Sequence, residues 1–215
     1  MSLLSGRDAF PHERDRRPSC GRTMSYASWD RELAATRALK HADSGHSVQG
    51  DGIWNFAFGS NISASKVRSR GMKPVSSLRG RLPGWMLLFN HNGGYANIES
   101  IEKVRSAKYD LTRLPQPVPE EVHGKLILLS RREFAELARQ EYAYDTVEVA
   151  VEVYPEDAGG EARTINALAF KTNACALTTT NTLPSARYLG IIQQGAKEAS
   201  ISAPYLRWLE AISPC

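Results

Sequence analysis

Ile53-Trp54-Asn55-Phe56-Ala57-Phe58-Gly59-Ser60-Asn61 is the stretch from which the fold is read. Its first six residues are dense in β-branched and aromatic types, the composition of a buried strand. Its last three favour turns and helix starts. A strand running straight into a Gly-Ser-Asn turn, with a short helix over roughly 63–70 behind it, aims several backbone N–H groups at one spot. Such a spot can hold a carboxylate or an oxyanion. The same three residues also make an ordinary capped turn. Ser60 is not a hydrolase nucleophile elbow, because that motif needs glycines where this chain has Phe58 and Ile62.

Outward from this stretch, more strands than helices are expected. Residues 76–90, SSLRGRLPGWMLLFN, read as strands around a Pro83-Gly84 turn, and a Gly-rich loop follows at His91-Asn92-Gly93-Gly94. Residues 99–121, charged and carrying Pro115, Pro117 and Pro119, read as a surface excursion. VHGKLILL at 122–129 reads as a strand. Ser130 and Glu133 then form a capping box that opens a helix over 131–141. At 146–153, Val147, Val149, Val151 and Val153 alternate with Thr146, Glu148, Ala150 and Glu152, the period of a strand with one buried face. A further strand is expected over 163–171. Two helices close the chain, starting near Pro184 and Pro204. The first carries Tyr188, Ile191, Ile192 and Gly195 on one face. Strands and helices do not alternate in the doubly wound manner. The fold class is therefore α+β, a mixed sheet or small β-barrel flanked by helices.

Composition narrows the function. Of 215 residues, 42% are hydrophobic and 23% charged, ordinary values for a globular chain. No apolar run approaches the ~20 residues needed to span a bilayer, so no membrane role is expected. The net charge of +4 is spread among acids, which reads as a solvated mixed surface rather than a nucleic-acid footprint. Three widely spaced cysteines, Cys20, Cys175 and Cys215, form no CxxC pair. That argues against a disulfide framework or a zinc site and for a reducing, cytoplasmic setting. Residues 1–50 are read as a flexible N-terminal extension and 51–215 as the catalytic domain. The extension lacks the apolar core of a secretory signal, and its acids count against a transit peptide. A helix is possible at 28–42. No chemistry is recognisable in the extension, so it is expected to be dispensable for catalysis.

Glu141 is the principal candidate for chemistry. Phe134, Leu137 and Ala138 mark the apolar stripe of the helix at 131–141, and Glu141 holds the next position on it. A buried carboxylate is costly unless it is paired or functional. Burial also favours the protonated acid, which suits a proton shuttle. A helix-terminal glutamate turned to solvent fits the same pattern. Cys175 and His123 lack partner motifs, and no phosphate-loop or dinucleotide glycine spacing is present.

Together these segments resemble the γ-glutamylcyclotransferase family. Phe56-Ala57-Phe58-Gly59-Ser60-Asn61 is similar to the family's strand–loop signature F-A-Y-G-S-N. Gln140-Glu141, ending a helix before a Val-rich strand, is similar to its catalytic-glutamate region. The stretch from Pro184-Ser185-Ala186-Arg187-Tyr188 through Gly195-Ala196-Lys197-Glu198 to Tyr205 is similar to its C-terminal helical pair. Gly93-Gly94-Tyr95-Ala96-Asn97-Ile98 is a looser match. Two positions depart from the family: Phe58 stands where tyrosine is common, and Tyr142 stands where a glycine often follows the glutamate. The Gly-Ser-Asn triplet argues against the glutathione-specific branch.

The resemblance implies that a γ-glutamyl amino acid or amine is cyclised to 5-oxoproline with release of the amine. It implies Glu141 as general acid/base and Phe58, Gly59, Ser60, Asn61 and Tyr188 as substrate-binding residues. The substrate's own α-amino group is the nucleophile, so neither a cofactor nor a metal is implied, and the partner is a small molecule. A non-catalytic binder of γ-glutamyl-like molecules on the same fold is the alternative. Retention of the glutamate favours the enzyme. A nucleic-acid-binding role for the Arg-rich extension is a third class, separable by a salt-dependent shift assay.

Overall fold

The computed structural model describes residues 27–45, 47–141, 143–178 and 180–215. Among the described residues eight strands are formed: β1 (Val48–Gln49), β2 (Gly52–Ala57), β3 (Ser76–Pro83), β4 (Trp85–His91), β5 (Tyr95–Ser100), β6 (Glu121–Ser130), β7 (Tyr144–Val153) and β8 (Thr164–Thr172). Six α-helices accompany them among those residues: α1 (Ala27–Ser44), α2 (Ala64–Ser69), α3 (Ile101–Ser106), α4 (Arg131–Gln140), α5 (Ala186–Glu198) and α6 (Ala203–Glu210).

The large sheet has the order β1-β2-β6-β3-β7-β8, and β8 returns to pair with β2. Strands β2, β6, β3, β7 and β8 thus close into a five-stranded barrel. Every pairing is antiparallel except that closing one, where Asn55 and Phe56 lie parallel to Leu168 and Ala169. Hairpin β4–β5 stands beside the barrel as a separate two-stranded sheet. This is the expected α+β class in its barrel form.

The apolar run of β2 has a plain cause, since both of its faces are covered. Trp54 and Phe56, with Phe58 just beyond, enter one buried cluster with Leu126, Leu128 and Val151. Ile53 enters a second, with Ile127, Leu129, Phe134, Leu137 and Phe170. Strand β6 divides its residues between the two clusters in the same way, with the period of two that a pleated strand imposes. Helix α4 lies over the second cluster. It starts at the expected capping box, in which Ser130 and Glu133 satisfy each other's backbone N–H groups.

Two expectations need correction. Residues 99–121 are not simply a surface excursion. They contain α3, and Leu114 and Val118 are buried in the main cluster. Trp208 Nε1 of α6 donates to Pro115 O at 3.0 Å. Nor is the whole of 1–50 a flexible extension. Residues 1–26 lie outside the described residues, but α1 packs on α4 with Ala38 and Ala42 in the second cluster. Val48 and Gln49 pair with Ile53 and Gly52. Small alanines on one helix face permit this close approach, which the charged composition of the segment conceals.

Buried histidines make the fold sensitive to acid. His91 stacks on Tyr144 with ring centroids 4.4 Å apart and planes within 2°. His123 lies among Glu121, Tyr154 and Tyr205. Burial pushes both imidazoles below their ordinary pKa, against a smaller opposing pull from Glu141 at His91 and from Glu121 at His123. The unfolded rings protonate as pH falls through about 6.5, while the folded rings resist. The associated stability is therefore full above that pH and is lost below it, at up to about 1.4 kcal/mol per pH unit for each histidine. Urea midpoints at pH 7.5 and 5.5 are expected to differ in that sense. His91→Asn is expected to flatten the slope, and equal midpoints would show that the rings titrate alike in both states.

Candidate active site

The cavity of interest forms where β2 runs out. Phe58 and Gly59 follow Ala57, and residues 60–62 turn into a single 3-10 turn. Ile62 N–H donates to Gly59 O at 3.0 Å, and Ser63 then caps α2. The turn is pinned from two sides. A Cβ on Gly195 of α5 would lie 2.8 Å from the Ile62 side chain and 2.8 Å from Ser63 N. A Cβ on Gly59 would lie 3.2 Å from both Ala96 Cβ and Tyr188 Oη. Both glycines therefore serve close approach: Gly195 lets α5 reach the turn, and Gly59 lets the turn meet β5 and Tyr188.

Phe58, Gly59, Ser60, Asn61, Glu141 and Tyr188, the six residues singled out in the sequence, all line this cavity. Asn55, Ala96, Tyr144 and Phe170 line it as well and were not anticipated. Glu141 does not continue the helical stripe. Helix α4 ends at Gln140, and Glu141 is its C-cap, with φ −103° and ψ 35°. That departure turns its side chain toward the loop. Asn61 Nδ2 donates to Glu141 Oε1 at 3.1 Å, across 80 residues of sequence. Arg70 Nη1, from the residue that caps α2, donates to the same oxygen. The apolar surroundings expected for this carboxylate are thus corrected: a guanidinium and an amide N–H face it, and its side chain is 14% exposed.

Two tyrosines clamp the peptide of Ala96. Tyr188 Oη accepts from Ala96 N–H, and Tyr144 Oη donates to Ala96 O, each at 3.1 Å. Burial pushes the Tyr188 phenol up to about 12, against the pull of the Ala96 and Ser60 N–H groups. Burial likewise raises Tyr144. Both phenols stay protonated at neutral pH. Tyr144 uses its proton on Ala96, whereas Tyr188 only accepts there and keeps its own proton for another partner.

Two buried acceptors in the cavity have no partner among the described residues, Asn55 Oδ1 and Asn61 Oδ1. Their orientation follows from what the other end of each amide meets. Asn55 Nδ2 donates to Leu168 O at 2.8 Å, and Asn61 Nδ2 to Glu141. Each of those partners is an acceptor, which assigns the nitrogen to it and leaves the oxygen free. A buried acceptor left unmade costs about 1–3 kcal/mol. Two of them beside a carboxylate make a site complementary to a group rich in N–H donors.

Asn55 and Tyr144 were missed for want of local signal, since an asparagine in an apolar strand and a tyrosine at a strand start read as structural. Tyr95-Ala96-Asn97 had been matched only loosely. Tyr142, whose departure from the family pattern was noted, lies outside the described residues.

Comparison with known proteins finds similar chains and similar folds. The family model described as AIG2-like matches residues 121–209. A curated relative named gamma-glutamyl cyclotransferase gliK, from Aspergillus fumigatus, is 29% identical over 179 residues. The match covers 75% of this chain, and the chain spans 62% of that protein's length. A solved structure of a gamma-glutamyl cyclotransferase superposes with TM-score 0.58 at 22% identity, covering 76% of this chain and 89% of its own. The structure of the uncharacterized protein loc79017 from Homo sapiens superposes with TM-score 0.59 at 23% identity, covering 77% and 90%. Family model, relative and fold agree with the family resemblance read from the sequence.

Proposed function

From the premise of a chain with the γ-glutamyl cyclotransferase fold, we propose that it cyclises a γ-glutamyl amino acid or amine to 5-oxoproline and releases the amine. The observation that carries this reading is the pair of unpartnered amide oxygens, of Asn55 and Asn61, beside the Glu141 carboxylate in one cavity. An α-ammonium group fits them, because it supplies three N–H donors and a proton to lose.

In the proposed reaction the folded γ-glutamyl chain brings its α-nitrogen to its own γ-carbonyl carbon. Intramolecular attack carries an effective molarity on the order of 10⁵ M or more when well aligned, so the protein's share is orientation and proton transfer. Glu141, through Oε2, takes one proton from the ammonium. The freed lone pair forms the new C–N bond, and the carbonyl π electrons move onto oxygen. Backbone N–H groups of the 58–61 loop and the Tyr188 hydroxyl steady that oxyanion. Collapse re-forms the carbonyl and expels the leaving nitrogen, which takes the proton held by Glu141. The attacking nitrogen loses two protons in all: the first passes through Glu141 to the leaving nitrogen, and the second, taken by the Glu141 carboxylate once it is free again, leaves with the released amine as its ammonium. The unpaired cysteines among the described residues, Cys175 and Cys215, support a cytoplasmic setting for it.

The direct test is to follow 5-oxoproline release from a panel of γ-glutamyl amino acids and amines. Release from at least one is expected. Saturable binding without release from any would favour the non-catalytic reading instead. Tyr188→Phe tests the loop's partner. The ring packing survives, but the proton that meets the oxyanion is lost. kcat/KM is expected to fall about tenfold to a hundredfold, the worth of one hydrogen bond to a charged group. Unchanged kcat and KM would leave Tyr188 a packing role only.

A further inference from the structure

We propose that Arg70 recognises a carboxylate on the leaving amine, so that the chain prefers γ-glutamyl amino acids to γ-glutamyl amines lacking that carboxylate. This rests on the cyclotransferase reading above. Arg70 has a fixed backbone: its N–H closes the end of α2 on Lys66 O and Val67 O, and its carbonyl accepts from Gln140 Nε2. Its side chain is 17% exposed. Among the described residues, the one acceptor its guanidinium meets is Glu141 Oε1, through Nη1.

Three features assign the role. First, Arg70 is not among the residues that line the cavity, whereas Glu141 is. Arg70 thus borders the cavity through its contact with the Glu141 carboxylate. What Arg70 can meet is the part of the substrate that emerges past Glu141, and in a γ-glutamyl compound that is the leaving group. Second, a guanidinium offers five N–H donors in a fork that matches a carboxylate with two parallel bonds, yet only Nη1 is engaged here. Its other N–H groups meet no acceptor among the described residues, which leaves them for a second carboxylate. Third, Oε1 is shared between Arg70 and Asn61. A substrate carboxylate on the remaining N–H groups leaves both contacts to Glu141 in place, so Arg70 acts as a positioning residue for Glu141 and as a specificity residue for the substrate.

The experiment compares two substrates that differ only in that carboxylate, γ-glutamyl-alanine and γ-glutamyl-ethylamine, on the full-length chain. The wild-type chain is expected to favour the alanine compound about tenfold to a hundredfold in kcat/KM, as one charge-assisted carboxylate contact allows. Arg70→Gln is expected to bring that ratio near one. Arg70→Lys, a point charge without the fork, is expected to retain part of it. Thermal unfolding of both variants checks that they are folded. An equal fall on both substrates would show that Arg70 merely orients Glu141 and would overturn the assignment. So would a wild-type ratio near one, or a ratio that Arg70→Gln leaves unchanged. Release from neither substrate by the wild-type chain is a different result, since it removes the cyclotransferase reading and this role with it.

Discussion

Glu141→Gln is expected to lower kcat by about 10²–10⁴-fold, the usual worth of a positioned proton-transfer group, while the fold and the cavity persist. Glutamine keeps the size of the side chain, and its amide oxygen can still accept from Asn61 Nδ2 and Arg70 Nη1, the partners that orient the native carboxylate. An amide NH₂ then stands in place of Oε2, and it neither takes a proton from an ammonium nor returns one to a leaving amine. Substrate affinity should change far less than turnover, since the acceptors of Asn55 and Asn61 remain in place. The measurement is the rate of 5-oxoproline release from the best substrate of the panel, together with binding of that substrate to the variant. Cyclisation by Glu141→Gln at the wild-type rate would remove Glu141 from the acid/base role even if the chain proved to be a cyclotransferase.

The local parts of this site were legible in the sequence, and the way they meet was only partly so. IWNFAFGSN marked the end of β2 and its turn, because apolar strands and Gly-Ser-Asn turns are decided within a few residues. Glu141 stood out for a carboxylate that extended an apolar stripe. The structure keeps it beside the loop for a different reason, a C-cap that leaves the helical path. Arg70 left no trace. It is one basic residue after a short helix, and its partner lies 71 residues away. Closure of the barrel was equally silent. The β2–β8 pairing is parallel and joins Asn55 to Leu168, and nothing near either residue records the other. Prolines and charges at 99–121 hid Leu114 and Val118, because composition averages over a segment while burial is decided one side chain at a time.

Removal of residues 1–49 is expected to cost about 5 kcal/mol of stability, where the sequence alone had led us to expect a dispensable segment. Helix α1 lies on α4, with Ala35, Ala38 and Ala42 at most 3% exposed. Beneath it lie Phe134, Leu137 and Ala138 of α4 and Ile53 of β2. Its flank is tied by Glu32 to Arg139 Nε at 2.8 Å, and by His41 Nδ1 to Thr146 Oγ1 at 2.9 Å. Beyond it, Trp54 N–H donates to Ser47 O, and Trp54 Nε1 to Gln49 Oε1. The exposed flank pairs contribute little. The apolar face decides the outcome: fully uncovering one large side chain costs roughly 1.5–3 kcal/mol, and three partly uncovered ones, together with the lost burial of Ala35, Ala38 and Ala42, reach the stated sum. Set against the ~5–15 kcal/mol that holds a typical domain together, that loss removes from a third to all of the stability. Activity should fall with it, since α4 carries Glu141 at its end. A chain beginning at Ala27 keeps every contact described above and is the control, expected to retain the wild-type urea midpoint and turnover. If the chain lacking residues 1–49 unfolds at the same urea concentration as the control, α1 is an ornament on the barrel rather than a wall of its second core.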